Sequence, residues 1–61
     1  PKLTQLETIE AIVSTVDPLS WEEVGGTAII REMKNGDITV MQTAKNHVKI
    51  WGLISNIEAA N

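Results

Sequence analysis

The sequence contains no cysteine, and it has few basic residues. Without cysteine the chain has no disulfide framework, no thiolate zinc site and no cysteine nucleophile. Five basic residues stand against eight acidic ones, which gives a net charge of −3, and the basic residues form no cluster. A surface that binds nucleic acid needs a basic stripe to face the phosphates. The charge balance therefore argues against nucleic-acid binding.

Long apolar runs are also missing. No stretch approaches the roughly 20 residues that a membrane-spanning helix requires, and no charged and then apolar amino terminus marks a signal peptide. The 61 residues predict a single domain over 1–61. The chain begins at Pro1 without an initiator methionine, which is typical of a processed product or of a module excised from a longer chain.

The first segment has the pattern of an amphipathic helix. Thr4 followed three residues later by Glu7 predicts a capping box at the helix start. The helix should end at Asp17-Pro18, because a residue before proline is disfavoured in the helical conformation. Apolar residues then recur at three- and four-residue steps along one face, namely Leu6, Ile9, Val13 and Val16.

A turn and a β-hairpin follow this helix. Residues 19–26 predict one helical turn, which the pair Gly25-Gly26 closes. Asn35-Gly36 predicts a two-residue type I′ turn between strands at 27–33 and 37–42.

That turn implies a definite strand register, which pairs Met33 with Ile38 and Arg31 with Val40. The core face would then carry Ile29, Met33, Ile38 and Val40. On the opposite face Ile30 would lie across from Met41 as an apolar pair that needs a cover.

The last segment predicts a second helix, from Thr43 as N-cap to about Ala59. Gly52 lies in its middle and indicates close packing. Val48 and Trp51 lie off the apolar stripe. The stripe itself consists of Ile50, Leu53, Ile54 and Ile57, with His47 one turn earlier. The sequence thus predicts an α+β fold in the order helix, turn, two-stranded antiparallel hairpin, helix.

Three groups of residues carry a resemblance to a known family. They are Asp17-Pro18, the run Ser20-Trp21-Glu22-Glu23-Val24-Gly25-Gly26, and Gln42-Thr43 with His47 and Ile50. In this order they resemble a small domain that recurs in large proteins of planctomycete-type bacteria. That domain is similar in topology to the N-terminal domains of secretins and to the short N-terminal domain of TonB-dependent receptors. The resemblance implies a compact β-α-β-β-α unit that serves assembly or protein contact, has no active site, and resides in the envelope or periplasm.

This chain departs from that pattern in two ways. It lacks the strand that the family places before its first helix, which implies that one edge of the hairpin is left open. It also has Val48, Trp51 and Gly52 where the family is usually charged, so the outer face of the last helix differs from the family's solvated one.

Residues capable of chemistry are few and scattered. His47 is the only histidine, and it has no carboxylate or nucleophile near it in sequence for general base work or metal binding. Glu22 and Glu23 fit helix capping better than a catalytic carboxylate pair, and Gly25-Gly26 lacks the spacing of a phosphate-binding loop. We therefore expect no catalytic, metal or cofactor site, and no enzyme activity.

The two tryptophans lead to different expectations. Trp21 lies between a serine and a glycine pair and predicts a core anchor rather than a ligand-stacking surface. Trp51 fits either an interface or the margin of the sheet equally well.

Together these features predict a non-enzymatic interaction or assembly module, with Val48, Trp51, Ile30 and Met41 as contact residues and with the protein itself or its parent chain as partner. In the self-pairing case the chain forms a homo-oligomer. An alternative is a nucleic-acid-binding fragment of KH-like topology, against which the acidic charge and the missing basic loop argue.

Overall fold

The computed structural model describes residues 3–60, so Pro1, Lys2 and Asn61 of the predicted 1–61 domain lie outside the described part. Two helices pack on one face of a two-stranded antiparallel hairpin, which confirms the α+β fold and the predicted order of elements. The elements are α1 (Gln5–Thr15), two 3₁₀ turns (Pro18–Ser20 and Glu22–Val24), β1 (Ile29–Glu32), β2 (Ile38–Met41) and α2 (Ala44–Ala60).

The start of α1 has the predicted capping box. The Thr4 hydroxyl accepts from the Glu7 N–H at 3.1 Å, and the Glu7 carboxylate accepts from the Thr4 N–H at 2.9 Å. The bond from the Thr4 N–H favours the ionised carboxylate, and with a smaller contribution from the Thr4 side chain it holds the pKa of Glu7 below its ordinary value. Two N–H groups that a helix start leaves unpaired are satisfied in this way.

The segment between α1 and β1 forms two short 3₁₀ turns rather than the single predicted turn. Trp21 lies between them and pairs with Ala28 in a parallel bridge. Gly26 is required here because a Cβ at this position would collide with the backbone carbonyl of Ser20. The Ser20 hydroxyl donates to the Asp17 carbonyl and does not cap the second turn.

The hairpin contradicts the predicted turn and register. Its loop has three residues, because the Met33 N–H donates to the Asp37 carbonyl at 2.8 Å. Gly36 has a φ of 95°, whereas Asn35 does not have the positive φ that a type I′ turn demands. The Asn35 side chain instead accepts from the Asp37 N–H at 3.1 Å. This arrangement is typical of a type I turn followed by a glycine bulge.

The extra loop residue shifts the pairing by one and therefore exchanges the faces of one strand. Ile30 lies opposite Val40, and Ile29 lies opposite Met41. Ile30 and Val40 pack against the core, whereas Met41 is 62% exposed on the outer face. The predicted apolar pair of Ile30 with Met41 is wrong, and so is the β1 half of the predicted core face, whereas Val40 packs against the core as predicted.

The core lies where α1, α2 and the segment around Trp21 meet. Trp21 is only 2% exposed, and its indole N–H donates to the Val16 carbonyl at 2.9 Å. The predicted role of Trp21 as a core anchor is confirmed. The buried apolar residues are Ile12, Val16, Trp21, Ala28 and Ile50.

Helix α2 begins as predicted, since the Thr43 hydroxyl accepts from the Asn46 N–H at 3.2 Å. Its predicted stripe faces inward, with Ile50 buried and Leu53 and Ile54 packed against the core. The expectation of close packing at Gly52 is wrong, because no atom lies within 4 Å of the place that a Cβ would take. Neither helix of residues 3–60 has the length and apolar content that a membrane crossing requires.

Candidate functional site

The most exposed apolar surface of α2 is formed by Val48 and Trp51, which we call the α2 patch. Val48 is 62% exposed and Trp51 is 64% exposed. The two residues lie three apart, on neighbouring positions of one helix face, and away from the buried Ile50. They lie on this face because their positions fall outside the stripe of Ile50, Leu53 and Ile54 that faces the core.

Trp51 also forms one wall of an apolar cleft between α2 and β2. The cleft has a volume of about 250 Å³ and reaches down to Ile12, which is fully buried. Its other lining residues include Ile38 and Val40 from β2 and His47 and Ile54 from α2. Apart from His47 and Trp51 the lining side chains are aliphatic, so the cleft suits an apolar side chain better than a charged or strongly polar ligand.

His47 lies in this cleft beside Trp51. The two ring centroids are 6.1 Å apart and the ring planes make an angle of 47°. No carboxylate of residues 3–60 pairs with the imidazole, and no group of three or more His, Asp and Glu side chains in that part of the chain could hold a metal ion. The contact with Trp51 is therefore a packing contact at the edge of the cleft.

The predicted contact residues do not form one surface. Val48 and Trp51 lie together on α2, but Met41 lies on the outer face of the hairpin, beside a shallower depression with Gln42 and Thr43. Ile30 packs against the core on the opposite face of the hairpin. Ile30 and Met41 lie on opposite faces because the observed register pairs Ile30 with Val40 and Met41 with Ile29.

An ion pair crosses from the second 3₁₀ turn to β1. Arg31 donates to both carboxylate oxygens of Glu22, with its Nη2 at 3.1 Å from Oε1. Because Arg31 favours the ionised carboxylate, it lowers the pKa of Glu22, and Glu22 in turn raises the pKa of Arg31. Both side chains are exposed, so the pair contributes little to stability. Glu22 thus has an ion-pairing role that the sequence reasoning missed.

A second missed feature is the polar contact between the loop after α1 and the start of α2. Asn46 is a buried polar residue, and its side-chain amide donates to the Asp17 carboxylate at 3.2 Å. Asp17 has a φ of 43° and is the one non-glycine residue among residues 3–60 with positive φ. Aspartate tolerates this left-handed conformation better than most residues. The sequence did contain a signal, because Asn46 lies one turn before Ile50 on the inward side of α2. A search for apolar periodicity does not detect a polar residue on that side.

In comparisons with known proteins, no family model matches the chain, and no curated protein or solved structure matches it significantly.

Proposed function

We propose that this chain is a non-enzymatic protein-interaction or assembly module and that the α2 patch is its contact surface. The observation that carries the proposal is the exposure of Trp51 at 64%, next to the equally exposed Val48. Tryptophan is one of the three residue types, with tyrosine and arginine, that are enriched among those that dominate the binding energy of interfaces. An exposed tryptophan with an apolar neighbour and an apolar cleft beside it fits such a surface.

The surroundings of the α2 patch support contact with protein rather than with a polar ligand. The adjoining cleft is apolar, and His47 is the polar side chain among its lining residues. The resemblance of the segment Ser20–Gly26 to assembly domains supports the same class of function. The partner in this proposal is a second copy or another part of the parent chain.

The self-association form of the proposal is tested by sedimentation velocity and light scattering over a range of protein concentrations. The variants are Trp51→Glu and, as a matched control, Leu19→Glu. Leu19 is 80% exposed on the first 3₁₀ turn, so both variants replace an exposed apolar residue by the same charge. We expect the mean mass of wild type and of Leu19→Glu to rise with concentration, and that of Trp51→Glu to stay near one chain.

The intrinsic fluorescence gives a second readout, because Trp21 is buried and Trp51 is exposed. Association through the α2 patch should shift the emission of Trp51 to shorter wavelength and protect it from acrylamide. A strict monomer in both wild type and Trp51→Glu would refute self-association. Equal association of wild type and Trp51→Glu would show that the α2 patch is not the contact.

A further inference from the structure

The outward edge of β2 carries backbone groups that have no strand beside them. The Met33 N–H donates to the Asp37 carbonyl at 2.8 Å, and bonded pairs alternate along an antiparallel ladder, so Thr39 is the next residue of β2 that bonds to β1. Ile38 and Val40 therefore direct their N–H and C=O groups away from β1. Within residues 3–60 the sheet has no third strand to meet them.

The outward edge of β1, in contrast to that of β2, is partly covered by other groups of the chain. The Glu22 N–H donates to the Ala28 carbonyl at 2.8 Å, just before β1 begins. Further along, the Arg31 guanidinium donates to the Ile30 carbonyl at 3.2 Å. Natural proteins usually protect edge strands with such covers, or with lysine, proline or a bulge. The four residues of β2, Ile-Thr-Val-Met, include none of these.

The open edge and the apolar cleft are neighbours. Ile38 and Val40 supply the outward backbone groups and also line the cleft, across from Trp51 and Ile54. A strand added beside β2 would bond to the edge and place alternate side chains over the cleft. This combination fits an extended segment of protein.

We infer that the added strand is β2 of a second copy, paired antiparallel about a two-fold axis at Thr39. The inference deepens the proposed function, on which it rests, by naming the partner. Ile38 would bond to Val40 of the partner subunit, and Val40 to Ile38 of the partner subunit. The outward groups lie symmetrically on the two sides of Thr39, so a single two-fold axis satisfies all of them.

β2 is itself complementary to the cleft that it borders. Its Ile38 and Val40 are apolar and line the cleft, so β2 of a second copy would place the same two side chains over that apolar lining.

The test places charges on the axis. In the paired edges Thr39 would face Thr39 of the partner subunit at a Cα separation of about 4.5 Å, and its side chain is exposed on the outer face. Like charges there oppose pairing, and opposite charges favour it. We expect Thr39→Lys alone and Thr39→Glu alone each to raise the dimer dissociation constant at least tenfold, and an equal mixture of the two to form heterodimers.

The mixture separates edge pairing from a damaged fold. Arg31 lies opposite Thr39 within the hairpin, so lysine at 39 also meets a like charge inside the chain, whereas glutamate meets an opposite one. Thr39→Glu therefore remains a valid test should Thr39→Lys unfold, and circular dichroism verifies both folds. Thr27→Lys, at another exposed threonine, is the matched charge control and should dimerise like wild type.

Amide hydrogen exchange reads the edge directly. We expect the amides of Ile38 and Val40 to exchange quickly in dilute protein and at least tenfold more slowly at concentrations where the dimer forms. A strictly monomeric wild type would overturn the edge pairing. So would a dimer in which the amides of Ile38 and Val40 exchange as fast as in the monomer and the Thr39 variants have the dissociation constant of wild type. The second result would still allow contact through the α2 patch. Whether the α2 patch is a contact is tested separately, because Trp51→Glu associates as strongly as wild type if it is not.

Discussion

Two glycines of this chain offer a matched test of the structure. Neither Gly52 nor Gly36 has any atom within 4 Å of the place that a Cβ would occupy. They differ in backbone conformation, because Gly52 lies inside α2 whereas Gly36 has a φ of 95° in the hairpin turn. The same substitution to alanine should therefore have opposite effects at the two positions.

The magnitudes follow from the local conformation. In a helix interior alanine is about 1 kcal/mol more favourable than glycine, so Gly52→Ala should raise the free energy of unfolding by about that amount. In a domain of this size that corresponds to a rise in melting temperature of about 4–8 °C. Gly36→Ala should lower the free energy of unfolding by about 1–2 kcal/mol, because the left-handed conformation brings Cβ too close to the following carbonyl.

The assay is thermal and urea unfolding followed by far-UV circular dichroism, at a protein concentration low enough to keep the chain monomeric. A destabilised Gly52→Ala would refute the reasoning, since it would show that this position is covered, as the glycine in mid-helix first indicated. Repeating the comparison at high concentration asks whether a second copy covers Gly52. A loss of the stabilisation only there would place Gly52 within the contact next to Trp51.

Two further predictions concern the core and the first helix. Trp21→Phe should lower the free energy of unfolding by about 2–4 kcal/mol, from about 1 kcal/mol of lost packing and about 1–3 kcal/mol for the buried Val16 carbonyl left without its donor. Urea unfolding measures this loss, and the exposed Leu19→Ala is the control, which should stay within about 0.5 kcal/mol of wild type. The pKa of Glu7 is lowered in the folded protein by its bond from the Thr4 N–H. The ionised carboxylate therefore contributes to the free energy of unfolding above the ordinary pKa of 4.5, and this contribution is lost as pH falls through the folded pKa. Urea unfolding from pH 7 to pH 3 should show a weaker acid dependence in Glu7→Gln, which keeps the capping contact but does not titrate; an unchanged dependence would contradict this role.

The helices and the existence of the hairpin were predictable because their signals are local. The Thr4–Glu7 capping box lies within a single turn. The apolar stripe of α2 repeats every three or four residues, and Asn35-Gly36 occupies the loop that it predicted. The burial of Trp21 was also predictable, since Ser20 before it and Gly25-Gly26 after it are typical of a tight turn that folds the chain back onto the helices.

The register of the hairpin was not predictable from the turn alone. Asn-Gly suits a two-residue type I′ turn, and it also suits the last two positions of a three-residue loop in which only the glycine has positive φ. The one-residue difference decided whether Ile29 or Ile30 faces the core. For the same reason the candidate site could be predicted only in part. The sequence pointed to Val48 and Trp51 and to an open hairpin edge, but it did not indicate that this edge is β2 or that an apolar cleft lies beside it.

The sequence by itself determined which segments form helices and strands, and which charges and chemical groups the molecule has to use. These properties depend on neighbours within a few positions. Only the tertiary structure decided the strand register, the exposure of Trp51 and which edge of the hairpin lies open beside an apolar cleft. Each of these depends on which elements meet across the core, because burial is a property of surfaces brought together from distant parts of the chain.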